Sequence, residues 1–183
     1  MFHDKLKYRK LIMLKPLITL LATTIIFSSP ATADDNKFSI GIGSYSLAIT
    51  DQVNTQTFSG AALNLGYTIY DFLAVNAHVY SLQDEVFTTQ EMNGYDLALR
   101  AGKFSPGFVA FVQAGIFSET LSSSVTTNTR DFSVTFLGFG AGYKWEQVGV
   151  ELDYARRAIK DYQSTSTADI DAATSSLSVS YLF

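Results

Sequence analysis

The sequence predicts an all-β protein, a transmembrane antiparallel up-and-down β-barrel of about eight strands built from residues 34–183. Three observations predict it. From Lys37 onward, segment after segment alternates apolar residues with small or polar ones. The connections between segments are alternately short and long. Aromatic residues gather at segment ends beside the short connections.

The start of the chain is unlike the rest. Lys5, Lys7, Arg9, Lys10 and Lys15 form a basic leader, an apolar run from Leu17 to Phe27 follows, and Ala31-Thr32-Ala33 gives a small-x-small pattern. Residues 1–33 are therefore expected to be a signal peptide cleaved after Ala33. The apolar run is too short for a membrane-crossing helix, which takes roughly 20 residues.

The first strand is expected between Lys37 and Thr50. Phe38, Ile40 and Ile42 share one phase and Tyr45, Leu47 and Ile49 the other, a slip that predicts a bulge near Gly43-Ser44. The second sets Ala61, Leu63, Leu65, Tyr67 and Ile69 against Gly60, Ala62, Asn64, Gly66 and Thr68. In the third, Leu73, Val75, Ala77 and Val79 alternate with Ala74, Asn76, His78 and Tyr80. The fourth runs Tyr95, Leu97, Leu99 and Ala101 against Asp96, Ala98, Arg100 and Gly102, and the fifth Ala110, Val112, Ala114 and Ile116 against Phe111, Gln113, Gly115 and Phe117. Leu137, Phe139, Ala141, Tyr143 and Trp145 make the sixth, with Gly138, Gly140, Gly142 and Lys144 between them. Val148, Val150, Leu152 and Tyr154 make the seventh, separated by Gly149, Glu151, Asp153 and Ala155. The last sets Leu177, Val179, Tyr181 and Phe183 against Ser176, Ser178, Ser180 and Leu182.

A soluble β-sandwich would alternate too, so the connections decide. Tight links fall near Tyr70-Asp71, Ser105-Pro106-Gly107 and Glu146-Gln147. Longer polar ones are expected near Asp51 to Gln56, Gln83 to Asn93, Ser118 to Asp131 and Lys160 to Ala172. This is the rhythm of periplasmic turns and extracellular loops. Tyr67, Tyr70, Phe72, Phe104, Phe108, Tyr143, Trp145, Tyr181 and Phe183 lie beside the short turns, where amphipathic rings suit the headgroup level. Hydrocarbon offers no partner to backbone N–H and C=O groups, so a sheet persists there only by closing on itself.

Composition excludes several classes. Without the five leader cations and Asp4, the 13 basic residues become 8 and the 17 acidic become 16, a net charge of −8 that argues against a nucleic-acid surface. With no Cys there is no disulfide, no thiolate metal site and no acylation point at the cleavage site. No cofactor is expected.

The inward phase carries the candidate site. Asp96, Arg100, Glu151, Asp153 and Arg157 form an expected lumenal charge network, with Lys144 near the turn end and His78 elsewhere on the wall. Small barrels fill their interior with side chains. An isolated buried charge costs several kcal/mol, so Arg100 is expected to pair with at least one of Glu151 and Asp153. A nucleophile would need a base beside it. His78 is the only histidine after cleavage, Ser81 faces the other way, and Tyr80 shares the phase of His78, so His78 reads as a hydrogen-bonded wall residue. Arg156, Arg157 and Lys160 are expected together at the start of the last long loop, either near lipopolysaccharide phosphates, which Arg pairs with well, or simply solvated.

At the C-terminus Leu177, Val179, Tyr181 and Phe183 resemble the closing-strand signal that bacterial outer-membrane proteins present to their assembly machinery. With Gly66-Tyr67, the Gly138, Gly140, Gly142-Tyr143 run and Gly149 to Tyr154, residues 34–183 resemble the small OmpA/OmpX-like barrel family. The resemblance implies an integral outer-membrane protein whose partners are outer-membrane lipid, lipopolysaccharide and the barrel assembly machinery. It implies a structural, adhesive or envelope-protective role, and the sequence is expected to depart from OmpA in having no periplasmic peptidoglycan-binding domain. A lipid A-modifying enzyme and a narrow channel are the alternatives on the same architecture.

Overall fold

The structure, a computed structural model, describes residues 37–51, 54–87, 89–123, 129–158 and 170–183. The expected signal peptide, residues 1–33, lies outside them. Eight strands follow one another: β1 Phe38–Thr50, β2 Thr55–Tyr70, β3 Leu73–Asp84, β4 Gln90–Lys103, β5 Gly107–Ser123, β6 Thr129–Lys144, β7 Val148–Arg157 and β8 Asp171–Leu182. Each pairs antiparallel with the next, and β1 pairs with β8 to close the barrel. The seam continues past β8, where Phe183 N donates to Phe38 O at 2.8 Å. Closure leaves no open edge to desolvate.

One end of the barrel is made of tight turns. Asp71-Phe72 joins β2 to β3, residues 104–106 join β4 to β5, and residues 145–147 join β6 to β7. Gly107 follows Pro106 with φ of +99°, a left-handed conformation that glycine adopts without strain. Both ends of the barrel domain, Phe38 and Phe183, lie on this side.

Outside, an apolar band covers the turn half of the wall. Ile42, Val79, Leu99, Val112, Leu137, Leu152 and Val179 are all exposed on it. Its lower rim is aromatic, with Phe38 on Tyr67 (ring centroids 4.7 Å), Tyr70 on Phe72 (5.5 Å), Tyr143 on Trp145 (4.8 Å) and Tyr181 on Phe183 (4.9 Å). Phe38 belongs to this girdle although the sequence reading left it out. Phe104 does not belong to it: the ring is buried and packs on Phe111 at 5.7 Å, in one cluster with Ala74 and Val109.

Toward the loops the polarity of the wall inverts. Outward positions become Ser44, Ser46, Ser81, Asn93 and Ser133, while inward ones become Tyr45, Leu47, Phe58, Leu82, Met92 and Phe132. This inversion corrects the expected bulge at Gly43-Ser44. There β1 pairs without interruption on both sides, Gly43 with Ala62 and Ser178, and Ser44 with Ala61 and Leu177. The apolar phase of β1 switches because the strand leaves the lipid, so its outward side chains meet water and its inward ones fill a core. The register shift is instead between Thr68 and Tyr70.

The same effect shortens the first three of the expected long connections, while the last keeps its length and shifts by two residues. Gln83-Asp84, Gln90–Asn93, Ser118–Ser123 and Thr129–Asp131 are paired strand. Between strands lie 51–54, 85–89, 124–128 and 158–170. Polar outward residues made these stretches read as loop.

Candidate functional site

The inward phase of β3 to β8 brings polar side chains to the middle of the lumen. Arg100 on β4 donates to Glu151 at 2.9 Å and to Asp153 at 2.8 Å, both on β7, and through Nε to Gln113 on β5 at 3.1 Å. Its guanidinium lies 4.4 Å from the centre of the Phe111 ring. Lys144 Nζ is 3.8 Å from the other Glu151 oxygen, and Ser176 donates to Asp153 at 3.2 Å.

A second cluster lies nearer the loops. Arg157 pairs with Glu119, donates to the hydroxyls of Tyr45 (3.2 Å) and Tyr80 (3.0 Å), and stacks over Phe117 at 4.1 Å. Tyr80 donates to Glu119 at 3.0 Å, and Tyr45 donates to Asp96 at 2.7 Å. His78 Nδ1 lies 2.9 Å from the other Asp96 oxygen. Asn76 joins the two clusters: with its amide oxygen turned to Arg100 it accepts from Nη2 at 3.1 Å, and it lies 3.3 Å from His78 Nε2. Among the described residues no buried side-chain nitrogen or oxygen lacks a hydrogen-bond partner.

Apolar clusters seal this layer at both ends. Ala74, Phe104, Val109 and Phe111 lie on the turn side. Leu47, Phe58, Leu82 and Met92 with Phe117, Phe132 and Phe136 lie on the loop side. Among the described residues, a cavity between Tyr45, His78, Asp96, Gln113, Asp153 and Ser176 has a volume of about 10 Å³. That is about the room of one water molecule.

The glycines of β6 make this filling possible. A Cβ on Gly140 would run into the Phe111 ring and come within 2.9 Å of Asp153 Oδ1, so glycine leaves the space that the charge cluster occupies.

All five expected network residues, Asp96, Arg100, Glu151, Asp153 and Arg157, are buried in the lumen, but in two clusters. Glu119, Tyr45 and Tyr80 complete the second cluster and were missed. Glu119 had been placed in a loop, yet it continues the inward phase of Gln113, Gly115 and Phe117. Arg156 and Arg157 do not come together in the cationic group expected of them. Neighbouring strand residues face opposite sides, so Arg157 is buried while Arg156 faces outward and pairs with Asp171 at 2.7 Å. Lys160 lies outside the described residues.

His78 is 4% exposed and is held by Asp96 and Asn76, while Ser81 faces outward. Among the described residues no three His, Cys, Asp or Glu side chains are grouped to hold a metal ion. Leu177, Val179 and Tyr181 stand on the lipid face of β8, and Phe183 is half-buried beside Tyr181.

The family model for the outer membrane protein β-barrel domain matches residues 18–183. No curated protein sequence matches. Among solved structures, the neisserial surface protein A is similar with a TM-score of 0.61 and 12% identity, covering 80% of this chain and 97% of that one. The attachment invasion locus protein Ail of Yersinia pestis is similar with a TM-score of 0.51 and 16% identity, covering 80% and 98%. OprG of Pseudomonas aeruginosa has a TM-score of 0.50 and 10% identity, covering 80% and 96%. Two halves of the wall with opposite polarity, a closed eight-stranded sheet and the family match agree: the chain belongs to the outer-membrane protein β-barrel family and resides in the bacterial outer membrane.

Proposed function

We propose that the protein is a non-conducting surface protein, adhesive or envelope-protective, whose function lies in its outward rim and loops and not in its lumen. The observation that carries this reading is the filled interior: a satisfied polar layer between two apolar seals, with room for about one water. Such a lumen serves as a scaffold. The names of two structural relatives, a surface protein and an attachment protein, point the same way. An enzymatic role finds no support at His78, which is buried and, among the described residues, is hydrogen-bonded to Asp96 and Asn76 and not to a hydroxyl.

The test compares a null strain, the complemented strain and a strain complemented with a chain shortened between residues 159 and 169. Attachment to host cells and survival in serum and detergent are measured, together with lipid A acyl composition. The expected result is a loss of attachment or survival in the null strain that the shortened chain does not restore, with unchanged lipid A. A change in lipid A acylation that follows the protein would overturn the reading in favour of an enzyme.

A further inference from the structure

The inversion of the wall has one exception. Above the lipid-facing band the outward side chains turn to Ser, Thr, Asn and Gln, yet the connection between β3 and β4 carries Val86 and Phe87 at its tip, 76% and 59% exposed. Among the described residues they are the only large apolar side chains exposed at the loop end of the barrel. Five residues of strand, about 17 Å, separate Val79 of the lipid-facing row from Asp84, so the pair stands clear of the bilayer that the barrel spans. The connection is held in this shape from below. The buried Asp84 accepts from Val86 N at 2.7 Å and Phe87 N at 2.6 Å with one carboxylate oxygen and from Gln56 with the other, Glu85 N donates to Thr57 O at 3.0 Å, and Gln90 N donates to Phe87 O at 2.8 Å. An apolar pair fixed in an exposed position is a ready contact point, because little ordering is left to do on binding.

Charge defines what fits the pair. Glu85 and Glu91 flank the tip, Asp51 is exposed at the loop end of β1, and the chain from Phe38 to Leu99 contains no Lys or Arg to offset them. We propose that this tip binds cationic amphipathic peptides, whose apolar face covers Val86 and Phe87 while the Lys and Arg along its flanks meet Glu85, Glu91 and Asp51. An anionic glycan or an acidic protein would meet like charge here. Cationic amphipathic peptides settle on membranes through the same apolar face, so a site that covers that face competes with the bilayer for the peptide. The inference rests on the surface role proposed above and gives its envelope-protective form a ligand class.

The test uses the full barrel refolded into phosphatidylcholine nanodiscs free of lipopolysaccharide. A fluorescent helical peptide of Leu and Lys is titrated in, alongside a Leu/Glu and a Ser/Lys peptide of the same length, and the signal from empty nanodiscs is subtracted. The Leu/Lys peptide is expected to bind and the other two are not. Val86→Ser combined with Phe87→Ser is expected to weaken binding about tenfold, as loss of a central apolar anchor does. Glu85→Gln combined with Glu91→Gln is expected to weaken it about tenfold and to flatten its salt dependence. All four changes are at exposed side chains, and gel mobility before and after heating checks that each variant is folded. Binding no stronger than to empty nanodiscs, unchanged affinity in either variant, or equal affinity for the Leu/Glu peptide would each overturn the proposal. The surface role is untouched by any of these outcomes, since it is read from attachment and survival in cells.

Discussion

Arg100→Ala probes the centre of the lumen. The side chain is 3% exposed and holds two carboxylates at 2.8–2.9 Å. Without it, Glu151 keeps only Lys144 as a cation, at 3.8 Å, and Asp153 keeps only the Ser176 hydroxyl among its hydrogen bonds on this side. Removing one partner from a buried ion pair costs about 3–5 kcal/mol, here because Asp153 is left without a counter-ion and Glu151 with only the more distant Lys144. The lost contact with the Phe111 face adds to this. Replacing the whole cluster is a different perturbation: the quadruple variant Arg100→Met, Lys144→Met, Glu151→Gln, Asp153→Asn removes both cations with both carboxylates and is expected within about 1 kcal/mol of the parent or above it, since neutral side chains of similar size avoid the desolvation cost. The assay is equilibrium unfolding in guanidinium from phospholipid vesicles, followed by the fluorescence of Trp145, the one tryptophan of the chain. An Arg100→Ala barrel within about 1 kcal/mol of the parent would refute the reasoning and show that these carboxylates are reached by water.

Further outcomes follow from the same geometry. In planar bilayers the wild type is expected to give no steady conductance, and a large stable conductance from the monomer would reject the sealed lumen. Gly140→Val is expected to cost about 1–3 kcal/mol or to prevent folding, because its side chain meets Phe111 and Asp153; unchanged stability would mean the cluster has slack. Phe183→Ala keeps the backbone bond to Phe38 while removing the ring, so it is expected to lower insertion in cells while refolding in vitro persists. Equal insertion at low expression would remove the assembly role from the terminal ring. Sequencing of the protein from outer membranes is expected to begin at Asp34, and recovery of the basic leader would contradict cleavage.

Much of this protein was written in the sequence because a membrane barrel obeys two strict periodicities at once. A strand alternates its faces every residue, and lipid requires one of those faces to be apolar, so Leu137, Phe139, Ala141 and Tyr143 announce both strand and orientation. The inward placement of Arg100, Glu151 and Asp153 follows from the same alternation. What the alternation cannot supply is height along the barrel axis, which depends on strand register. Height alone decides whether an outward residue meets lipid or water. Tyr45 and Leu47 therefore read as a slip in β1 when they are core, and Gln83, Asn93 and Glu119 read as loop when they are wall. Register also chooses partners across the lumen: Arg100 on β4 meets β7, and Arg157 on β7 meets Glu119 on β5. These contacts join residues far apart in the chain, and only closure of the sheet brings them to the same level.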